Sequence, residues 1–298
     1  MKAVRYNSFG RPDVLEIIDV DTPHPGHGEI AVRVAGAGVN QLDTKIRSGA
    51  MPTGAAPPFP LGTGVDASGT VIELGEGVHD VAVGDVVFGI GRNTMAEVAV
   101  LTDWAEVPAG VDPVDAGGWG VATETAGRLL TELGIATGTI LVSGASGGVG
   151  SAVVQFAVAR GFTVIGTASA ANQEYLARLG AVPVVYGSDL VARVSELTPN
   201  GVDGALDISG AGVVPDLVTL VGDASRVISI SDSSAPSLGA RVSTGAARRT
   251  NPRDGFAEAV SLPAFALSIE RRFTLDEIEE AHRHAESGHT VGKLVVVP

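Results

Sequence analysis

The 298-residue chain contains no cysteine. That absence excludes disulfides, thiol nucleophiles, iron–sulfur ligation and the usual structural zinc site, and leaves six histidines and the carboxylates as the material for metal binding. Positive charge is scarce too: 20 Lys and Arg stand against 34 Asp and Glu, giving a formal net charge of -14 and a pI of about 4.8. Such a chain lacks the positive face that nucleic acid or an anionic membrane requires, so neither is expected as a partner. A small anionic ligand at a local site stays compatible with this balance. No run of about 20 apolar residues is long enough to cross a bilayer. Nor does a basic amino-terminal stretch lead into an apolar core and cleavage site, so the expected location is the cytoplasm.

What the chain does have is length for two domains and, at 45% hydrophobic residues, ample material for packed cores. Up to about residue 115 the segments are short, β-rich and punctuated by Gly and Pro: KAVRY, VLEIIDV, EIAVRVAGAGV, GTVIELG, DVVFGI and EVAVL. They predict a mainly β, barrel-like domain. From about residue 116, strands TILVS, FTVIG, VPVVY, GALDI and RVISI alternate with helical stretches, the pattern of a parallel sheet covered by helices on both faces. A further helical stretch is expected at FAEAVSLPAFAL; IERRFTLDEIEEAHRHAESG follows, with a late helix carrying His282 and His284, before a last strand, GKLVVV. That strand follows the final sheet element and is expected to return to the amino-terminal domain. The expected domains are therefore 1–115 with 265–298, and 116–264.

The bend after TILVS reads GASGGVG and parses in two ways. Gly144-Ala145-Ser146-Gly147-Gly148 satisfies G-x-S-x-G, a nucleophile elbow whose serine attacks esters. Shifted by one residue, Ala145-x-Gly147-x-x-Gly150 is an alanine-first dinucleotide turn that cradles a pyrophosphate. The elbow needs a later acid, a histidine and an upstream oxyanion loop. Asp203 or Asp207 with His282, His284 or His289 would have to serve, and the loop is missing. The dinucleotide parse uses more of the chain. Gly147 lets backbone approach the phosphates, Gly150 lets the helix pack on its strand, and the turn opens an alternating domain. A Walker phosphate loop is excluded because no Lys-Ser/Thr pair follows the glycines.

The second strand bears on the adenosine ribose. NAD-binding proteins place an acid there, about 20 residues beyond the glycines. This chain offers Thr167, Ser169 and Asn172, with no acid before Glu174 and no Lys or Arg in the loop. Hydroxyls and an amide can donate to a 2′-phosphate that an acid would repel, so NADPH is the expected cofactor. Tyr186, ending the next strand, offers one more hydroxyl.

The stretches AGAGVNQLDTKIRSG, PLGTGVDASGTVIELGEGV, VGDVVFG, the glycine turn, GFTVIGTAS and AHRHAESGHTVGKLVV resemble the zinc-free quinone oxidoreductase, or zeta-crystallin-like, branch of the medium-chain dehydrogenase/reductase superfamily. The resemblance covers essentially the whole length. It implies a Rossmann-type nucleotide-binding domain and a GroES-like barrel completed by the carboxyl-terminal segment, NADPH, a homodimer, and reduction of quinones or activated C=C bonds. Asn40 stands where zinc enzymes of the superfamily carry a Cys, and Gly64-Val65-Asp66 where they carry Gly-His-Glu. His282, His284 and His289 are expected as exposed helix and loop residues.

A ketone reduced by hydride leaves a localised alkoxide that asks for a Lewis acid or strong proton donor. A quinone or enone leaves charge spread over a phenolate or enolate, for which hydrogen bonds suffice. By resemblance, Asn40 lies near the nicotinamide, and the expected cofactor contacts are Asn40, Thr125, Gly144, Ala145, Ser146, Gly147, Gly148, Val149, Gly150, Thr167, Ser169, Asn172, Tyr186 and Lys293. Asp43 closes an N-x-x-D turn with Asn40, in a loop-holding or an active-site role. Lys45, Met51 and Glu124 depart from the family pattern. Asn40, Lys45 and Glu124 are the candidate catalytic residues. Lys45 would polarise a carbonyl or give a proton, or else is a solvated lysine; Glu124 donates a proton, or Thr125 or Thr123 makes the nicotinamide contact instead. Two other readings are an enoyl or enone reductase tailoring a pathway intermediate and a non-catalytic NADPH-binding protein.

Overall fold

Short strands rich in Val, Ile and Ala and broken by Gly and Pro can bury their faces only by pairing with one another, and in the first part of the chain they do so as a closed ring. The structure, a computed structural model, describes residues 1–51 and 58–298, and no candidate site residue falls between these ranges. It divides into a unit of Met1–Val121 with Ala266–Pro298 and a unit of Ala122–Phe265.

In the first unit the strands are β1 (Lys2–Tyr6), β2 (Glu16–Asp19), β3 (Ile30–Val39), β4 (Leu61–Gly62), β5 (Asp66–Leu74), β6 (Val86–Arg92) and β7 (Val98–Glu106), with helix α1 (Gln41–Ser48) after β3. β3 pairs antiparallel with β5, β5 with β6, β6 with β7, and β7 again with β3, which closes the ring. Ile30, Val32, Leu101, Phe273, Leu294 and Val296 fill its core. Helices α2 (Pro113–Ala116) and α3 (Trp119–Leu133) follow, and the division between units falls within α3.

The second unit contains β8 (Thr139–Ser143), α4 (Gly148–Ala159), β9 (Thr163–Ala168), α5 (Gln173–Arg178), β10 (Val182–Val185), α6 (Leu190–Leu197), β11 (Gly204–Asp207), α7 (Val214–Val221), β12 (Val227–Ser229), β13 (Arg241–Val242) and α8 (Pro252–Ser261). The sheet is parallel in the order β10-β9-β8-β11-β12-β13. This is the Rossmann order, and its direction reverses between β8 and β11. β8 reads ILV through its buried centre because both faces are covered. Helix α4 buries Ala152, Val153, Val154, Phe156 and Ala157, so it is apolar nearly all round, as a helix lying deep in a domain must be.

The chain then re-enters the first unit with β14 (Ile269–Thr274), α9 (Ile278–Glu286) and β15 (Lys293–Val297). β15 lies antiparallel to β3, pairing Leu294 with Val39 and Val295 with Gly38, so the last strand does return to the amino-terminal sheet. Ile269–Thr274 is a strand with no counterpart among the expected elements; it pairs parallel with β15, and helix begins only after Thr274. Its side chains alternate in burial at period two, and a Thr274–Glu277 capping box marks where the helix starts: the Thr274 N–H donates to Glu277 at 2.8 Å. Likewise α8 stops at Ser261, two residues before Pro263, rather than running on to 267. Helices α1 and α3 had no counterpart among the expected elements.

The Phe156 ring is fully buried and packs against Phe265 at 5.4 Å between centroids. Phe156→Ala is expected to cost about 3–5 kcal/mol, read as a lowered urea midpoint at unchanged slope.

Candidate active site

The glycine turn is built by the close approach of α4 to β8. A Cβ on Gly150 would lie 2.1 Å from the Gly144 carbonyl oxygen and 2.7 Å from Ala145 Cα, so any side chain there would drive helix and strand apart. Gly147 is different. Its φ of -77° is open to any residue, and a Cβ would meet nothing nearer than the Gly144 oxygen at 3.6 Å. Neither backbone strain nor packing within the protein requires glycine at 147. A side chain there would project into space that the protein does not fill.

Backbone hydrogen bonds point the same way. Gly144 N–H donates to Thr167 Oγ1 (3.3 Å), Ala145 N–H to the Thr167 carbonyl (3.1 Å) and Gly147 N–H to the Gly144 carbonyl (3.2 Å). Ser151 N–H is the first to reach back into the helix, to the Gly147 carbonyl at 2.8 Å. The N–H groups of Gly148, Val149 and Gly150 therefore have no partner inside α4, and Gly147 at the N-cap has no side chain to cap them. Free N–H groups at the positive end of a helix dipole make a site for an anion.

Ser146 is half-buried in this turn. The acids that an elbow serine would need are engaged elsewhere. Asp203 Oδ2 accepts from Thr139 N–H at 2.7 Å. Asp207, fully buried at the end of β11, accepts from Ser209 Oγ (3.0 Å), Gly210 N–H (3.1 Å) and Ser229 Oγ (2.8 Å). Ser209 in turn meets Ser143 Oγ at 2.8 Å. Asp207 thus braces the loops at the carboxyl ends of β8, β11 and β12, a role that sequence reading missed although D-x-S at a strand end hints at it.

At the end of β9, Thr167 is 2% exposed and spends its hydroxyl on the glycine turn. Ser169 and Asn172 are half-buried, and Tyr186 is 54% exposed beside them in sheet order. Glu174 points outward and pairs with Arg178 at 3.1 Å. In α3, Glu124 is buried and paired with Arg128, Nε to Oε1 at 2.8 Å. Thr125 Oγ1 donates to Glu124 Oε2 at 3.1 Å, and Arg128 also donates to Ser243.

The first unit holds a second polar cluster, buried on the face of β5 and β15 opposite the barrel core. Asn40 caps α1 where β3 ends. Its Nδ2 donates to Asp66 Oδ1 (2.8 Å) and Asp43 Oδ2 (3.3 Å), while its Oδ1 accepts from Lys293 Nζ (2.5 Å). Lys293 also lies 3.6 Å from Asp66 Oδ2, and Asp66 accepts from Val121 N–H at 3.1 Å. Carboxylates on one side and an ammonium on the other fix which way the Asn40 amide faces. Asp43 is buried with Oδ1 unpartnered; burial, and then the charge of Asp66, push its carboxyl up to about 7 against the pull of the Asn40 hydrogen bonds and Lys293. Lys45 is half-buried and its ammonium meets no carboxylate among the described residues; Met51 is exposed.

The late histidines diverge as an i, i+2 pair must, but His282 is not exposed. It is fully buried on the α9 stripe Ile278, Ala281, His282 and Ala285, and burial with the nearby Arg47 charge pushes it down to about 3. Its place in that i, i+3, i+4, i+7 stripe was legible. His284 pairs with Glu270 at 2.5 Å, and His289 is exposed. Among the described residues no group of three or more His, Asp or Glu is placed to hold a metal, and no helix is long and apolar enough to cross a membrane.

The chain is similar to known proteins over both units. Residues 26–126 match the alcohol dehydrogenase GroES-like domain family and residues 148–243 the zinc-binding dehydrogenase family. A quinone oxidoreductase of Pseudomonas aeruginosa is 31% identical over 330 residues, covering 100% of this chain and 99% of that protein. Escherichia coli quinone oxidoreductase complexed with NADPH aligns at a TM-score of 0.86 and 25% identity over 100% of both chains. A mycobacterial protein complexed with NADPH aligns at 0.84 and 27%, again over 100% of both.

A carboxyl raised from 3.8 to about 7 favours folding at low pH; the contribution is complete below about 4 and is lost as pH rises through about 7. Asp43→Asn keeps an acceptor oxygen and cannot ionise. Between pH 5 and pH 8 the wild type should lose stability relative to this variant, measured by urea unfolding of both; a difference that does not change with pH would show that Asp43 does not titrate there. The opposing contribution of His282 is common to both proteins and cancels.

Proposed function

The chain belongs to the quinone oxidoreductase, zeta-crystallin-like branch of the medium-chain dehydrogenase/reductase superfamily, and we propose that it reduces quinones or activated C=C bonds with NADPH and without zinc. The observation that carries the reading is the uncapped amino terminus of α4 beside a glycine whose missing side chain the protein itself does not need. The cofactor is NADPH. Gly148, Val149 and Gly150 would meet its pyrophosphate with backbone N–H groups, over the Gly144–Gly147 bend. Ser169, Asn172 and Tyr186 would face the adenosine ribose, at a strand end whose nearest acid, Glu174, is exposed and paired with Arg178.

When bound, the cofactor supplies hydride from its nicotinamide. The protein's residues have to orient the reactants and manage one proton, since a quinone or enone that takes up hydride needs a proton to complete the reduction. Asn40 is fixed by Lys293 and Asp66 and keeps one amide-oxygen lone pair to spare. Lys45, with no carboxylate partner among the described residues, is the proposed proton donor or carbonyl polariser. Glu124, committed to Arg128, is better suited to holding Thr125 than to giving up a proton. The zinc-free reading has a physical support of its own. The side chains at Asn40 and Asp66 already hold an ammonium, and a divalent cation beside Lys293 would meet like charge.

Purified protein should oxidise NADPH in the presence of members of a panel of ortho-quinones, para-quinones and alkyl enones, followed by loss of absorbance. No turnover with any acceptor would remove the enzymatic reading. Gly147→Val should weaken NADPH binding about tenfold or more with a melting temperature close to wild type, whereas Gly150→Val should lower the melting temperature first. Equal NADPH affinity in wild type and Gly147→Val would place the pyrophosphate elsewhere.

A further inference from the structure

A 2′-phosphate is close to a dianion, and neutral hydroxyls alone discriminate weakly between NADPH and NADH. The loop after β9 contains no Lys or Arg, and Thr167 is already spent on Gly144. Arg178 faces Glu174 on the exposed side of α5. A cation for this phosphate has to come from another element.

The neighbouring strand supplies one. β10 lies beside β9 with Val185 opposite Ala168, and Tyr186 N–H donates to the Ala168 carbonyl at 3.3 Å. From α6, Arg193 reaches back to this strand end, and its Nε donates to the Val185 carbonyl at 3.2 Å. Its Nη2 lies 3.8 Å from where a Cβ on Gly187 would sit, so the guanidinium lies over the turn that presents Tyr186. Asp189, 3.7 Å from Nη1, is its ionic partner, and the Asp189 side chain is 76% exposed. So exposed and loosely held a pair contributes little and is readily exchanged for a phosphate, which the guanidinium fork can grip with two parallel hydrogen bonds.

We infer that Arg193 receives the 2′-phosphate, together with the Tyr186 hydroxyl, and sets the preference for NADPH over NADH. The inference rests on the proposed NADPH-dependent function. Sequence reading missed Arg193 because it sits on the helix after the third strand, well beyond the loop where an adenosine-reading residue is sought.

The test is the dissociation constant of NADPH and of NADH, by fluorescence titration, for wild type, Arg193→Met and Arg193→Lys. Arg193→Met should weaken NADPH by about 10- to 100-fold while NADH changes by less than about twofold, with Arg193→Lys in between. Competition by 2′,5′-ADP should fall in parallel. NADPH affinity unchanged in Arg193→Met, or NADPH and NADH weakened alike, overturns the inference and leaves the function standing. Wild type that binds neither dinucleotide overturns both.

Discussion

A helix cannot satisfy its own first-turn N–H groups, and in this protein the unsatisfied end of α4 is pressed against β8 at the point where the sheet reverses direction. Gly150 permits that contact, Thr167 ties the bend to β9 with hydroxyl and carbonyl, and Asp207 holds the loops on the other side of the switch point. The result is a positively polarised helix end made of backbone N–H groups. A chain with a net charge of -14 thereby offers an anion a local site without a basic surface, as the proposed function requires.

The first unit solves a different problem. It buries two carboxylates, an amide and an ammonium, each costly alone, and makes them tolerable by joining them. The cluster links β3, α1, β5 and β15, so the last strand of the chain completes the polar arrangement as well as the sheet. Asn40 is held by charges of opposite sign at its two ends. Asp43, with one oxygen unpartnered, is the member on which the strain of burial falls.

How much of this was legible follows from how local each feature is. The glycine turn could be read because its geometry is dictated by three residues within six positions of one another, and the buried strands of the parallel sheet because burial on both faces leaves apolar runs. Ile269–Thr274 was not picked out as a strand because its two arginines and a glutamate interrupt the apolar pattern, although its alternating burial is that of an edge strand. The Asn40–Lys293 bond joins residues 253 positions apart, and no spacing rule reveals it. Glu124 stood out in the sequence, but its partner Arg128 and their tie to Ser243 emerge only once the helix is drawn. The return of the last strand to the amino-terminal sheet was legible because GKLVVV follows the final element of the parallel sheet and still needs an edge to pair with; the resemblance to quinone oxidoreductases implied the same split arrangement.

The central claim is that the bare amino terminus of α4 receives the cofactor's pyrophosphate. Amide hydrogen exchange followed by mass spectrometry, with and without saturating NADPH, tests it most directly. Slowed exchange concentrated in the peptide spanning Gly144–Ser151, with weaker slowing at the end of β9, is the expected result. Unchanged exchange across that peptide, with NADPH bound and protection confined to other elements, would contradict it.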